Sequence, residues 1–560
     1  MFSGPMVSPA ESVTNPITHN LVYALILLGL SGVMFLSRMD APLMEPDEAR
    51  YAEAPREMLQ EQSYVTPLLH GQPFYHKPPL MYWLTMLGYQ CFGISDWSAR
   101  LVTGLIGVST IMLIFWGTLA FLGRHVAFLS GMVLCLLPKY IYQARMVGMD
   151  GLLALCVLGG LIFAYRAICS PEIKKSDWLL SAVFCGLGIM TKGPLALVLM
   201  VPPTVVFRFL DPRFARISLL SWLQFGCVVV CLALPWYVAM FWQNRQLGWE
   251  SLWFHNVQRF VEPFDHQEPF WYYLPGLLFG LLPWSLVLIP FVLSLLRKPS
   301  SNPSRSPAQG FFALALLWFV LFFSCSGCKR DIYLLPGLPL FAVVVGCQLR
   351  TFFAWETKRT FGLEWLLPTD RKKLAWLGFI GLIYVGLNFC WIPVVVGFWN
   401  VWQATWLTII FSIVATIALV TARRRNPGIL WGWNGVILIL LCWCAVGLLL
   451  PNYNRRFSMR GSVARFRDTC ADENLLIAAY PRRWDALDFY LDREVALYPP
   501  DKLADMMTML QARKKTLVIL KAGRHADRFL SELPTNLQFR PGAKQRQKTL
   551  VGYVYCDVQE

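Results

Sequence analysis

A dense set of ionisable side chains follows the first long apolar run of the sequence. It comprises Glu45-Pro46-Asp47-Glu48-Ala49-Arg50-Tyr51, with Tyr75-His76-Lys77-Pro78-Pro79 a short way downstream. A carboxylate beside a guanidinium can stay ionised and act as a base, or help position a phosphate or a cation. The proline ahead of Asp47 and Glu48 marks the start of a short helix, and on it Asp47, Arg50 and Tyr51 fall at i, i+3 and i+4, on one face. A plainer pattern fits the same residues: acids complementing the helix dipole, with Arg50 and Glu53 as solvated partners. Lys77, stiffened by two prolines, is either a compact charge for a phosphate or a snorkelling anchor for a surface helix.

Other loops carry similar groups. Asp150, with Arg145 about a turn before it, sits at the lip of an apolar helix as a functional carboxylate or a helix cap. Arg259, within His255-Asn256-Val257-Gln258-Arg259-Phe260, suits forked phosphate binding. Lys329 and Tyr333, four apart, add a charge and a hydroxyl. Cations at Lys77, Arg259 and Lys329, with carboxylates at Asp47 and Asp150, make a site for an anionic substrate and a nucleophile. That is the pattern for moving a group off a lipid phosphate. No glycine-rich phosphate loop, HExxH zinc helix or nucleophile elbow competes, so an activated donor would itself be a membrane lipid.

The elements that position these residues are membrane helices. Of the 560 residues, 56% are hydrophobic and only 15% charged, against roughly 25% charged in a soluble domain. Apolar runs of roughly 16 to 25 residues recur, which is spanning length, and 23 Trp suit an interfacial belt. The chain therefore reads as a polytopic α-helical membrane protein with about thirteen transmembrane helices between residues 20 and 450. The run at 20–36 lacks a basic n-region and a small-residue cleavage site, so it reads as a span and not a cleaved signal.

The net charge of +16 lies in alternate loops, for example Arg166, Lys174 and Lys175, then Arg208, Arg213 and Arg216, then Arg423-Arg424-Arg425. Such placement determines topology and attracts anionic lipid, and it argues against a nucleic-acid partner. The basic loops are then cytoplasmic, with a cytoplasmic tail at 1–19. The loop at 39–98 and the tail from 451 lie on the periplasmic face. A short aromatic stretch, 78–92, reads as an interfacial helix. From 451 to 560 the composition is that of a soluble α/β domain, with strands at 475–479, 516–520 and 550–555 and helices at 485–491 and 502–512. Cys470 and Cys556 could pair there in an oxidising compartment.

Several short motifs occur in one order and on one side of the membrane. They are Pro46-Asp47-Glu48-x-Arg50-Tyr51-Ala52-Glu53, Arg56-Glu57-Met58-Leu59, Lys77-Pro78-Pro79-Leu80 with Tyr82-Trp83, Thr191-Lys192-Gly193, Gln258-Arg259-Phe260 and His266-x-x-Pro269-Phe270-Trp271-Tyr272-Tyr273. In these the chain resembles the lipid A aminoarabinose transferases, within the polyprenyl-phosphate-dependent GT-C glycosyltransferases that include the protein O-mannosyltransferases. The likeness covers roughly residues 20–350.

The resemblance implies the GT-C fold and an inverting transfer of a sugar from undecaprenyl phosphate to an outer-leaflet acceptor, typically a lipid A phosphate, in the bacterial inner membrane. It implies that Lys77 and Arg259 hold the carrier phosphate with Tyr333 nearby, and that Asp47 and Asp150 are the essential carboxylates. Glu48, Arg50 and Tyr51 would shape the cavity, with Lys329 as a further cation. The family usually has Glu where this chain has His76, and Glu-His where it has His255-Asn256. A divalent metal near the carrier head group, which the resemblance also implies, would draw on His76 and His255. A protein acceptor is the alternative within the class. A lipid-linked sugar transporter is the alternative outside it, and it would place polar groups at the bilayer midplane rather than at span ends.

Overall fold

The computed structural model describes residues 16–253, 258, 260, 266–295, 306–353, 376, 378–387, 391, 401–423, 427–458, 460, 461, 463, 475–481, 484–492, 495–521, 523–541 and 549–556. They form two compact units: Met1–Ser37, His76–Leu80 and Thr103–Gly447 in the first, and Arg38–Tyr75, Met81–Val102 and Leu448–Glu560 in the second.

Eight helices among the described residues are long and apolar enough to cross a membrane: Ile17–Leu36, Asp96–Leu122, Asp150–Ile168, Leu219–Gln243, Pro307–Cys325, Asp331–Arg350, Val401–Thr421 and Gly432–Arg455. A ninth is added if Arg124–Cys135 and Pro138–Ala144, bent by 70°, make one span. The chain is thus a multi-pass helical membrane protein, and the described residues hold fewer long spans than the thirteen expected. Lys175–Lys192 carries Lys175, Asp177 and Lys192 at its ends, and Leu195–Leu210 has only 16 residues. The run expected at 271–296 breaks into Tyr273–Leu278 and Ser285–Leu295 around Pro283. The run expected at 374–396 is described as a helix only over Gly378–Leu387.

Within the first unit, Asp150–Ile168 and Lys175–Lys192 form an antiparallel hairpin whose closeness is written in small residues. A Cβ on Gly159 would stand 2.6 Å from the Phe184 ring, so only glycine lets the two backbones approach this far. Ser181 Oγ donates to the Gly160 carbonyl at 2.8 Å, locking the pair at mid-length. Asp150 starts the first helix and Lys192 ends the second, so the hairpin brings them to the same end.

The second unit combines the loop after the first span with the C-terminal segment. Besides the hairpin strands β1 (Leu68–Leu69) and β2 (Gln72–Pro73), it holds β3 (Leu476–Tyr480), β4 (Ala496–Leu497), β5 (Lys515–Lys521), β6 (Leu537–Pro541) and β7 (Thr549–Cys556), which form a five-stranded mixed sheet in the order β4-β3-β5-β7-β6. β3 runs parallel to β4 and β5, while β7 is antiparallel to β5 and β6. The expected strands and the helices Asp485–Leu491 and Leu503–Gln511 are present. Strands β4 and β6 and the Arg524–Ser531 helix were not foreseen. Cys470 and the Cys556 side chain lie outside the described residues, and so does the pairing suggested for them.

The Asp47–Gln60 helix belongs to this unit and puts Ala49 into the same apolar cluster as Ile477, Leu487 and Ile519. The Leu80–Phe92 helix, expected as interfacial, packs in the unit from Met81 onward, and Tyr89 donates its hydroxyl to the Ala52 carbonyl at 2.8 Å. A two-strand hairpin, Leu68–Leu69 with Gln72–Pro73, turns at His70-Gly71.

Candidate active site

In the first unit Asp150 is 9% exposed and accepts a hydrogen bond from Lys192 Nζ at 2.5 Å. The same ammonium lies 5.0 Å from the centre of the Tyr333 ring, a cation–π distance. Two of the expected residues, Asp150 and Tyr333, are thereby joined through a third. Lys192 is that third residue, noticed in the sequence only as one outer-loop cation and part of a motif. The signal that finds it is periodicity: the two runs flanking 169–174 read as an antiparallel pair, so the start of one faces the end of the other.

Tyr333 stands in the 3-10 turn Asp331–Gly337, and its hydroxyl is 3.6 Å from Cys328 Sγ. Asp331, at the start of that turn, accepts from Lys139 Nζ at 2.6 Å. Lys329 is 5% exposed and gives its ammonium to the carbonyls of Glu268 (2.9 Å) and Ser326 (2.5 Å), so it ties two loops together. Arg145 is likewise buried and donates to the carbonyls of Met34 (3.0 Å) and Ser37, capping the C-terminal end of the first span. Lys77 is half-buried in the short His76–Leu80 segment that belongs to this unit. Arg259 and His255 lie outside the described residues.

In the second unit Asp47 is partly exposed, with Arg50 Nη1 3.6 Å from its Oδ1. Arg50 Nε donates to Asp485 Oδ2 at 3.1 Å, so the expected helix-face pair is extended by an acid from the C-terminal segment. Tyr51 packs near Tyr82, ring centres 6.4 Å apart. The Tyr82 hydroxyl is buried without a hydrogen-bond partner, and that burial pushes its pKa well above the usual phenol range.

Glu48 is placed differently from a cavity residue. It is 1% exposed, and its two oxygens accept from Arg100 Nε at 2.7 Å and Nη2 at 2.8 Å. Arg100 also donates to the carbonyls of Met39, Ala41 and Pro42, so the pair clamps the chain ahead of the Asp47 helix. Glu53 and Arg56 form a second buried fork at 2.6 and 2.8 Å, and Arg56 Nη1 reaches Asp492 at 2.5 Å. Burial pushes the Glu53 carboxyl up to about 8, with the Arg56 hydrogen bonds pulling the other way.

His76 is exposed and is not part of the one group among the described residues whose ligand atoms lie close enough to share a cation, Glu57, His70 and Asp488. The other residue expected to hold a carrier-side metal, His255, lies outside the described residues.

Comparison with known proteins adds three findings. Residues 76–241 match the dolichyl-phosphate-mannose-protein mannosyltransferase family. An undecaprenyl phosphate-α-4-amino-4-deoxy-L-arabinose arabinosyl transferase of Aeromonas hydrophila is 31% identical over 354 residues, 61% of each chain. One from Pseudomonas fluorescens is 28% identical over 394 residues, 67% of each chain. The aligned part thus spans about three fifths to two thirds of those relatives' length. The crystal structure of ArnT from Cupriavidus metallidurans bound to undecaprenyl phosphate superposes with a TM-score of 0.73 at 20% identity, covering 97% of this chain and 98% of that one. The chain has that fold.

Proposed function

We propose, from the kinship of this chain with the undecaprenyl phosphate-aminoarabinose arabinosyl transferases, that it is a membrane glycosyltransferase. It moves a sugar, 4-amino-4-deoxy-L-arabinose or a related pentose or hexose, from undecaprenyl phosphate to a lipid A phosphate or similar envelope acceptor. The observation that carries this reading is where the family match falls: residues 76–241 contain Lys77, Asp150 and Lys192, the outer-loop charges that sequence order and hairpin geometry single out.

In this reading the chain crosses the bacterial inner membrane thirteen times, with the tail at 1–19 cytoplasmic. The 39–98 loop and the C-terminal segment are periplasmic. The alternation of basic loops supports that orientation.

The chemistry is a displacement at the anomeric carbon. An acceptor oxygen forms the new glycosidic bond as the bond to the carrier phosphate breaks, with inversion. Lys77 and Arg259 offset the charge of the departing phosphate. An acceptor phosphate is already ionised near neutral pH, so Asp47 and Asp150 orient it rather than deprotonate it. Lys192 fixes the Asp150 carboxylate for that task.

The mannosyltransferase match favours a second reading, in which the acceptor is a protein hydroxyl and a carboxylate must take its proton. Mass spectrometry of total lipids and envelope glycoproteins from cells with and without the gene separates the two. A pentose or hexose lost from lipid A phosphate supports the first reading, and one lost from protein supports the second. An unchanged lipid and glycan profile would sink both.

A further inference from the structure

A second constellation lies in the second unit, beside Arg50 but centred on a histidine that has no part in the transfer. The two-residue turn of the Leu68–Pro73 hairpin places His70 at φ +56° and Gly71 at φ +68°. A left-handed backbone at a non-glycine residue costs roughly 1–2 kcal/mol, so something holds His70 there. Glu57 does: its Oε1 accepts the His70 backbone N–H at 2.6 Å and its Oε2 that of Gly71 at 3.1 Å.

The imidazole that this turn presents is only 8% exposed and stands between two acids of the Asp485–Leu491 helix, themselves 2% and 3% exposed. Its Nε2 lies 3.0 Å from Asp485 Oδ1, and Asp485 is oriented in turn by Arg50. Its Nδ1 lies against Asp488 Oδ2. A neutral imidazole has one N–H. A carboxylate oxygen thus faces each ring nitrogen, an arrangement satisfied either by a proton on both nitrogens or by a proton on Nε2 and a metal cation at Nδ1.

The surroundings are right for one. Ligand atoms of Glu57, His70 and Asp488 all lie within 4.8 Å of one another. They border an open cavity of about 440 Å³ that is also lined by Glu61, Asp492 and one guanidinium, that of Arg56. One imidazole nitrogen and two carboxylate oxygens form a mixed N/O set suited to Zn²⁺, and the open side leaves room for water as a fourth ligand. Asp485 then serves as the carboxylate that fixes the tautomer of a metal-bound histidine.

We propose that Glu57, His70 and Asp488 bind a divalent transition-metal ion, Zn²⁺ by donor set, which staples the hairpin and the Asp47–Gln60 helix to the Asp485–Leu491 helix. The site is structural. It is distinct from any metal beside the carrier phosphate, and it does not depend on the sugar or the acceptor.

The test uses the full chain, purified in detergent without a histidine tag, stripped with EDTA and reloaded with Zn²⁺. We expect one tightly held equivalent by elemental analysis and a Tm that rises by several degrees on reloading. Both should be lost in His70→Ala and Asp488→Asn and kept in Glu61→Gln, which changes the cavity charge but no ligand. Should the variants not fold, zinc-edge absorption of the wild type decides, because the proposal requires one imidazole in the ion's coordination shell. The proposal is overturned if wild type and His70→Ala retain equal zinc, or if the bound ion shows no imidazole. It is also overturned if EDTA leaves Tm unchanged, the result expected were His70 simply an imidazolium bridging two aspartates.

Discussion

Lys192 Nζ meets Asp150 Oδ1 at 2.5 Å across 42 residues of sequence, and both side chains are 12% exposed. Removing one partner from such a pair leaves a charge in a poor environment, at a cost of roughly 3–5 kcal/mol. Asp150→Asn and Lys192→Ala should each lower Tm measurably and reduce sugar transfer about a hundredfold or more. The double variant Asp150→Asn/Lys192→Met should regain most of the Tm and none of the transfer. Thermal unfolding and a transfer assay on the same preparations check this.

Gly159 sets how closely the Asp150 and Lys192 helices approach. A Gly159→Leu side chain would meet the Phe184 ring, itself stacked on Phe163, and would wedge the hairpin apart. Transfer should fall with the Lys192→Ala variant, although no polar group has changed. Gly160→Ala is the milder control, since the atom met there is the flexible end of Met200. A distance probe between the two helix ends should lengthen in the first variant and not in the second.

Glu48 and Lys77 come from the same loop and should separate cleanly in experiment. Truncating Glu48 leaves buried Arg100 without its carboxylate, so Glu48→Ala should cost about 3 kcal/mol or more in stability and lower the yield of folded protein. Lys77→Ala should cut transfer about a hundredfold to a thousandfold, the scale of losing one donor to a developing anion. A normal transfer rate in Lys77→Ala would remove it from the carrier phosphate.

Particular residues show what the sequence could and could not convey. Apolar run length marks spans because the bilayer imposes it, and β-branched runs marked β3, β5 and β7 because strand geometry selects them. Asp47, Arg50 and Tyr51 share a helix face as their spacing requires. The partner of Arg50 was not legible: Asp485 is 435 residues away, and no local pattern names it. A hint exists in hindsight. Asp485 and Asp488 fall at i and i+3 on a short, mostly apolar helix, an acidic pair that could be buried only with partners from elsewhere in the chain. The same reasoning explains Glu48, whose sequence neighbours look catalytic while its actual contact, Arg100, sits 52 residues on at a span end. Charge density marks the region, while burial separates enclosed members such as Glu48 from more exposed ones such as Asp47.

Glu53 makes that division measurable by pH. Its carboxyl sits at about 8 in the folded protein because burial penalises the anion, against about 4.5 when unfolded. Between those values the unfolded chain has released a proton that the folded chain still holds, so raising the pH favours unfolding. The contribution of Glu53 is therefore complete below about pH 4.5, falls steadily as pH rises towards 8, and is gone above it. Glu53→Gln keeps a hydrogen-bonding acceptor for Arg56 and removes the titration. Its Tm should match wild type near pH 5, exceed it near pH 8, and show a flatter profile between. Parallel profiles for the two proteins would mean that Glu53 is ionised throughout and that the Arg56 fork outweighs burial.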